Sequence, residues 1–253
     1  MKDKRLLDIM EILKERGFVT VSELAKELNV SEITIRRYLT LLESQGLLER
    51  RRGGAVPKNF RIDLPFFFKL EEKKEEKQKI AKKALDYLSD GITVAMSGGT
   101  TIFYLTQILD ESNIKDLTIV TNSITTAWGV INQKKRFKLI HSGGIVREGS
   151  FECIGSHALS LFENIIVDVY FMGVNGIDLN KGITNYDAEE RDVAITILKN
   201  AKKVIVLADS SKFGVIMPYK ICDLGDVDII ITDRLQDDKK DWFKNIKTKV
   251  VIA

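Results

Sequence analysis

Two short helical patterns joined by a tight turn, within residues 21–56, constrain the fold more than any other feature of this chain. Ser22 is suited to cap the first helix, and Ser31 to cap the second. Between the helices, Asn29 stands where the turn requires a residue that tolerates a left-handed backbone. Apolar residues recur at helical spacing after Ser31 and leave an outer face that carries Arg36 and Arg37. This order predicts a helix-turn-helix.

A basic hairpin is predicted directly after the second helix, over residues 47–56. An arginine-bearing helix can place guanidinium groups on base edges in the major groove, and a basic hairpin beside it suits the DNA backbone or minor groove. Helix pairs of this kind also occur in many other proteins, and an Arg-Arg pair is often only a solvated face, but the whole ordered series favours a winged DNA-binding domain. The residues expected to contact DNA are Ser22, Ser31, Glu32, Thr34, Arg36, Arg37, Thr40, Arg50, Arg51, Arg52, Gly53 and Gly54.

The charge of the chain is unevenly distributed. Residues 1–58 hold 12 Lys and Arg against 9 Asp and Glu, whereas the remaining residues hold 27 of each. The excess of positive charge therefore lies where a polyanionic partner is expected. Cys153 and Cys222 are isolated, so neither a disulfide framework nor a zinc site is predicted, and no metal or cofactor is expected. Because no segment resembles a signal peptide or a membrane span, we expect no membrane partner and a cytoplasmic location.

The periodicity of the chain predicts three regions: a DNA-binding domain at 1–58, a connector at 59–74 and an α/β domain at 75–253. A helix over residues 5–16 supports the first domain, and the Phe triplet at 66–68 is expected to pack against a domain or across a subunit interface. Further helices are predicted at 71–88, 100–109, 123–133, 157–164, 187–200 and 236–245. Short apolar runs predict strands at 92–96, 117–121, 138–141, 167–173, 203–208, 228–232 and 249–252. This alternation is typical of a largely parallel sheet covered by helices.

Several loops that follow these strands have the composition of a ligand site, and in open parallel sheets ligands bind at that edge. The glycines and hydroxyls of residues 97–101 precede a helix and can cradle a phosphate, although the lysine of a P-loop is missing. Together the loops predict a site for an anionic polyol, while Gly143 and Gly144 alternatively only turn the chain. The expected ligand residues are Ser97, Gly98, Gly99, Thr100, Thr101, Thr121, Asn122, Ser123, Gly143, Gly144, Arg147, Gly173, Gly176, Asp209 and Lys212.

These motifs, in this order, resemble those of DeoR-type bacterial transcriptional regulators over nearly the whole chain. The resemblance rests on Val19–Ala25, Thr34–Arg37 and Gly53–Ala55 in the first domain, and on Gly99–Thr101 and Asp209–Gly214 in the second. It implies an N-terminal winged helix-turn-helix followed by a larger α/β sugar-phosphate-sensing domain related to ribose-5-phosphate isomerase. It also implies a homo-oligomeric repressor of sugar-metabolism genes that binds operator DNA and responds to a phosphorylated sugar.

The chain departs from the family pattern at three positions. Tyr38 stands where the family usually has Asp, Ser97 where it usually has Asp, and Arg52 where a His is common. An alternative interpretation is a sugar-phosphate isomerase or deaminase with a DNA-binding appendage, although no loop shows a clear acid–base pair. An activator is a third possibility. The identity of the sugar phosphate, the operator, the direction of the response and the size of the oligomer stay open.

Overall fold

The computed structural model describes residues 2–44, 46–57 and 66–253 and divides into two compact units, Met1–Glu72 and Lys73–Ala253. The middle of the expected connector lies outside the described residues, at 58–65. Each unit has its own hydrophobic core.

The first unit is a three-helix domain with a small antiparallel sheet and a further short helix. Its elements are α1 (Lys2–Arg16), β1 (Val19–Thr20), α2 (Val21–Glu27), α3 (Glu32–Ser44), β2 (Leu48–Arg51), β3 (Gly54–Pro57) and α4 (Phe66–Glu71). The strands pair in the order β1-β3-β2, so that β2 and β3 form the predicted hairpin. The winged helix-turn-helix fold is therefore confirmed.

The turn chemistry of this unit differs from the prediction at one residue. Thr20, not Ser22, caps α2: its hydroxyl accepts the backbone N–H of Glu23, whose carboxylate accepts the N–H of Thr20 in return. Such a reciprocal pair satisfies two backbone donors at once, which a cap at Ser22 does not. Asn29 has the expected left-handed backbone (φ 50°), and the Ser31 hydroxyl accepts the N–H of Thr34 at the start of α3.

The Phe triplet lies on α4, which contacts α1 within the first unit. Phe68 joins the hydrophobic core of this unit, and Phe66 is also buried, whereas Phe67 is 61% exposed. Two residues of the triplet, Phe66 and Phe68, are therefore buried in the first unit, which agrees with the expectation that the triplet packs against a domain.

The second unit is a parallel sheet covered by helices. Its elements are α5 (Lys74–Ala84), β4 (Ile92–Met96), α6 (Thr100–Gln107), β5 (Leu117–Thr121), α7 (Ile124–Ile131), β6 (Lys138–His141), β7 (Ile145–Val146), β8 (Cys153–Ile154), α8 (Ser156–Glu163), β9 (Val169–Gly173), β10 (Gly176–Asp178), β11 (Gly182–Asn185), α9 (Ala188–Lys199), β12 (Val204–Leu207), β13 (Tyr219–Cys222), β14 (Ile229–Thr232), α10 (Asp237–Lys240) and β15 (Lys249–Ile252). Single turns of 3₁₀ helix lie at Leu85–Tyr87, Leu109–Glu111, Ser210–Lys212, Leu224–Asp226 and Asp241–Phe243.

All seven predicted strands lie in one sheet, in the order β15-β14-β12-β9-β4-β5-β6, and every pair is parallel. The central strand β9 is apolar on both faces because helices cover the sheet on both sides, and Tyr170 and Phe171 on it are fully buried. The parallel arrangement brings the carboxyl ends of β4, β5 and β9 to one edge of the sheet, where the predicted loops meet.

One prediction about the elements was wrong, and two small sheets were missed. The single helix expected at 71–88 is interrupted: α4 ends at Glu71, α5 begins at Lys74, and Lys73 between them has a left-handed backbone (φ 51°) that a continuous helix cannot contain. A three-stranded sheet, β10-β11-β13, and the hairpin β7-β8 were not predicted. Their strands have two to four residues, which is too short for periodicity to reveal.

Candidate DNA interface and effector cavity

The outer face of α3 is polar and accessible. Its inner stripe of Ile35, Tyr38, Leu39 and Leu42 is buried in the first unit, so the opposite face points outward. Arg36 and Arg37 are both exposed on that face. Arg36 forms a 3.2 Å ion pair with Glu32, and the Arg37 guanidinium lies 5.7 Å from the ring centre of Tyr38. Both arginines are available to DNA, because exposed pairs of this kind contribute little stability and exchange readily.

The hairpin β2–β3 is held against the recognition helix by one of its own arginines. Arg50 donates from Nη1 to the Thr40 hydroxyl at 3.0 Å, and its backbone N–H donates to Glu43 at 2.9 Å. Arg51 pairs with Glu49 at 3.1 Å, while Arg52 is exposed at the turn. The hairpin therefore presents Arg51 and Arg52 outward, whereas Arg50 fixes its position relative to α3.

Not every residue predicted to contact DNA is exposed. Gly54 is buried in the sheet, and a Cβ there would lie 2.3 Å from the carbonyl oxygen of Val19. Because Gly54 has no side chain, β1 can approach β3 closely, and Gly54 is not accessible to DNA. Gly53, with a φ of 83°, makes the turn of the hairpin. Ser22 is exposed, and its hydroxyl lies 3.2 Å from that of Thr20.

In the second unit, the loop after β4 is tied to the loops of its two neighbours in the sheet. The Ser97 hydroxyl accepts the backbone N–H of Gly173 at 2.9 Å, and the Ser97 carbonyl accepts the Thr126 hydroxyl at 2.9 Å. Gly99 precedes α6 with a φ of 107°, a backbone conformation that favours glycine. Residues 97–99 therefore form a turn, held by two hydrogen bonds to neighbouring loops, at the N-terminus of α6.

The loop after β5 joins the same edge through Asn122. Its side-chain N–H₂ donates to Glu152 and to the carbonyl of Cys153, each at 3.1 Å. Its side-chain oxygen is buried and has no hydrogen-bond partner among the described residues. The hydroxyls of Thr121 and Ser123 accept backbone N–H groups of their own loop, so they stabilise the turn.

A small polar cavity, with room for about one water molecule at its centre, opens beside these loops. Its lining consists of Ser97, Asn122, Glu152, Tyr170, Gly173, Asn185, Glu190, Val193, Ala194 and Ile197. The Tyr170 hydroxyl, like the oxygen of Asn122, is buried without a hydrogen-bond partner among the described residues. Burial, together with the nearby charge of Glu152, raises the pKa of Tyr170 well above its usual range. The tyrosine is therefore a neutral hydroxyl that can donate or accept a hydrogen bond.

The two predicted cations of the site have different surroundings. Arg147 donates to Asp187 from Nε and to Glu190 from Nη1, both at 3.1 Å, so its charge is already matched by carboxylates. Lys212 is half-buried and forms no ion pair with any residue in the described ranges. The charge of Arg147 is therefore matched by Asp187 and Glu190, whereas no carboxylate in the described ranges pairs with Lys212.

The structure brings only some of the predicted ligand residues together. Ser97, Asn122 and Gly173 line the cavity. The other predicted residues do not: Gly98, Gly99, Thr100, Thr101, Thr121, Ser123, Gly143, Gly144, Arg147, Gly176, Asp209 and Lys212. Gly143 and Gly144 turn the chain between β6 and β7 with φ values of 65° and 120°, which agrees with the alternative stated for them. Gly176 is a packing residue, because a Cβ there would lie 2.3 Å from the carbonyl oxygen of Val215.

Sequence reasoning missed Glu152, Tyr170, Asn185 and Glu190. The pattern of Asp187 followed by Glu190 predicts only the capped N-terminus of a helix, and Asp187 does cap α9. Glu152 and Tyr170 lie among apolar neighbours in the sequence and carry no motif. Only the sheet order places these four side chains at one cavity.

Comparison with known proteins identifies both units. Residues 5–59 match the DeoR-like helix-turn-helix domain, and residues 72–234 match the DeoR C-terminal sensor domain. A Bacillus subtilis protein, the uncharacterized HTH-type transcriptional regulator FruR, is 32% identical over 96% of this chain and 94% of its own length. The glycerol-3-phosphate regulon repressor of Escherichia coli is 30% identical over 89% of this chain and 88% of its own.

Among solved structures, ribose 5-phosphate isomerase A from Methanocaldococcus jannaschii matches 56% of this chain and 55% of its own, with a TM-score of 0.40 and 18% identity. Within the described part of the chain, no helix has the length and apolar character needed to cross a membrane.

Proposed function

The chain belongs to the DeoR family of DNA-binding transcriptional repressors of sugar metabolism, and on this premise we propose where its operator and its effector bind. Its relatives are named as transcriptional repressors, and this chain is likewise a regulator and not an enzyme. The operator binds the first unit through the outer face of α3 and the β2–β3 hairpin. The effector, a phosphorylated sugar, binds the second unit at the carboxyl edge of the sheet.

For the effector site, the observation that carries the proposal is the cavity with two buried polar atoms, on Asn122 and Tyr170, that find no hydrogen-bond partner within the described ranges. A buried polar atom without a hydrogen bond costs about 1–3 kcal/mol, and a ligand that supplies the bond recovers this energy. Sugar hydroxyls both donate and accept, which suits these two atoms and the carboxylate of Glu152. The phosphate is assigned to the turn at Gly99, where the backbone N–H groups and dipole of α6 favour an anion.

Calorimetry with a panel of phosphorylated sugars tests this assignment, after a thermal-shift screen selects the responsive compound. A ligand that binds only the folded state at 100 times its Kd adds about 2.7 kcal/mol of stability. Asn122→Asp is expected to weaken binding of that compound, because it removes the N–H₂ group that holds Glu152 and adds a second negative charge. Asp178→Asn, at a residue that does not line the cavity, is the matched control.

The role of Lys212 needs a separate variant. Lys212→Gln is expected to weaken binding of the phosphorylated sugar by about 1.5–3 kcal/mol if the ammonium forms a charge-assisted hydrogen bond to phosphate. The unphosphorylated sugar should bind wild type and variant equally. Unchanged affinity for the phosphorylated compound would place the phosphate elsewhere. Bulky substitution of Gly99 is a weaker test, because its φ of 107° makes any side chain strained even though the space around it is open.

We also propose that the chain assembles as a homo-oligomer through α7. Ile124, Trp128 and Ile131 form one stripe on this helix and are 40%, 63% and 56% exposed. No residue from Ile124 to Ile131 is charged, which suits a two-fold contact in which Trp128, at the middle of the stripe, meets its own copy. A dimer would also supply the two recognition helices that paired half-sites need.

Sedimentation of the full chain tests this assembly. Trp128→Glu should produce a monomer, since the contact would place two carboxylates face to face, while Ile166→Asp at another exposed isoleucine should leave the assembly intact. An oligomer that survives Trp128→Glu would rule out α7 as the contact. Because its partner is bacterial operator DNA, the regulator is assigned to the cytoplasm.

A further inference from the structure

Ile33 is an exposed apolar side chain in an unusual place. It is 80% exposed, the highest value among the large hydrophobic residues in the described part of the chain. It lies in the first turn of α3, between the exposed Glu32 and the half-buried Thr34 of the recognition helix. Burial does not explain an isoleucine here, because its side chain is exposed. Helix propensity does not explain it either, because β-branched residues are only moderate helix formers and acidic residues are favoured in the first turn of a helix.

The geometry of α3 places Ile33 at the centre of the face that DNA would meet. At about 3.6 residues per turn, Ile33 lies about 180° around the helix from the buried stripe centred on Ile35 and Leu42. Arg36 and Arg37 flank it at about 60° and about 40° on either side, one turn further along. In helix-turn-helix proteins, the N-terminal residues of the recognition helix reach the base edges. Ile33 therefore occupies a position from which a side chain contacts bases.

The chemistry of the major groove defines the partner of an apolar side chain there. The base edges display hydrogen-bond donors and acceptors, and the C5-methyl group of thymine is the apolar feature among them. An isoleucine placed against a polar edge would remove water from donors and acceptors without replacing their hydrogen bonds. Against a thymine methyl, both surfaces leave water favourably.

We propose that Ile33 is a specificity-determining residue that reads the C5-methyl group of one thymine in each operator half-site. This inference rests on the DNA-binding function of the first unit and adds a base contact that the polar face of α3 does not predict. The arginines beside Ile33 recognise guanine edges or phosphates. Ile33 adds preference for thymine over cytosine and over uracil at one position.

Replacement of single thymines by deoxyuridine tests the proposal, because it removes one methyl group and leaves all hydrogen-bonding groups of the base in place. The operator is first selected from random duplexes with the full-length chain, and affinities are measured at one fixed salt concentration. For wild type, uracil at the thymine that Ile33 contacts in one half-site should weaken binding about fourfold, the factor that corresponds to about 0.8 kcal/mol per buried methyl-sized group.

Ile33→Ala should bind the unmodified operator more weakly than wild type and should be indifferent to uracil at that same position. Because Ile33 is exposed, this variant is expected to fold normally. Ile33→Val should retain most of the uracil effect, and Ile166→Ala, at a 70% exposed isoleucine outside the first unit, should behave as wild type.

Two results would overturn the proposal. One is a wild-type protein that tolerates uracil at every thymine. The other is an Ile33→Ala variant that responds to each uracil as wild type does, or that changes oligomeric state instead of base preference. A wild-type chain that selects no duplex at all would contradict the DNA-binding function itself, and so is distinguishable from either result.

Discussion

Neutralising Arg52 at the tip of the hairpin is expected to reduce the salt dependence of operator binding. Arg52 is exposed at the turn between β2 and β3, whereas Arg50 is engaged with Thr40 and Arg51 is paired with Glu49. Each phosphate that a protein neutralises contributes about 0.9 to the slope of log affinity against log salt concentration. Arg52→Gln should therefore reduce the slope by about 0.9 per protomer, or about 1.8 for a dimer with both hairpins bound.

A smaller change in affinity is expected at the neighbouring Arg51. Arg51 must leave its exposed pair with Glu49 before it meets a phosphate, a cost of about 0–1 kcal/mol. Arg51→Gln should therefore lose less affinity than Arg52→Gln at equal salt. Arg50→Gln should alter affinity by releasing the hairpin from Thr40.

Fluorescence anisotropy of a labelled operator, titrated at four or more salt concentrations, gives the slope directly. Arg136→Gln is the matched control, because it removes the same charge from an exposed site in the second unit. A slope unchanged in Arg52→Gln would show that the hairpin tip faces solvent in the complex. An equal fall in Arg136→Gln would show that the overall charge of the chain, and not a local contact, sets the slope.

Three further outcomes are expected. If Arg36 or Arg37 reads a base, its replacement by Ala should weaken operator binding by about 1–3 kcal/mol and relax selectivity at one base pair. If it binds phosphate instead, the variant should bind all sequences more weakly to the same degree, and competition between single-substituted operators distinguishes the two outcomes. Gly176→Ala should lower the free energy of unfolding by about 1–3 kcal/mol, because its Cβ would lie 2.3 Å from the carbonyl of Val215, and an unchanged urea midpoint would contradict the packing role. Burial raises the pKa of the Cys222 thiol and so lowers its thiolate fraction at pH 8; labelling by a disulfide reagent should be slow in the folded chain and fast in denaturant, and equal rates would refute this.

Local sequence patterns were sufficient to predict the helix-turn-helix and the seven-stranded parallel sheet of this protein. The spacing of apolar residues predicted all seven strands of the parallel sheet, four of them to the residue, because burial on both faces produces uninterrupted apolar runs. The helix-turn-helix was predictable for the same reason, since its caps, turn and buried stripe are all short-range features. The cap at Thr20 and the break at Lys73 were missed, because neighbouring residues offered equally plausible caps and an unbroken helical pattern.

The composition of the effector cavity was decided only by the tertiary structure. Asn122 meets Glu152 across 30 positions of sequence, and Arg147 meets Asp187 across 40. Such contacts depend on the strand order, which sets β9 beside β4 although 72 residues separate their ends, Met96 and Val169. Composition could identify loops that suit an anion, but it could not show that Arg147 is paired with two carboxylates. Nor could it show that Tyr170 and Asn122 carry buried polar atoms with no hydrogen-bond partner in the part of the chain that the structure describes. Contacts between side chains far apart in the sequence are set by three-dimensional packing, and the spacing of residues along the chain does not reveal them.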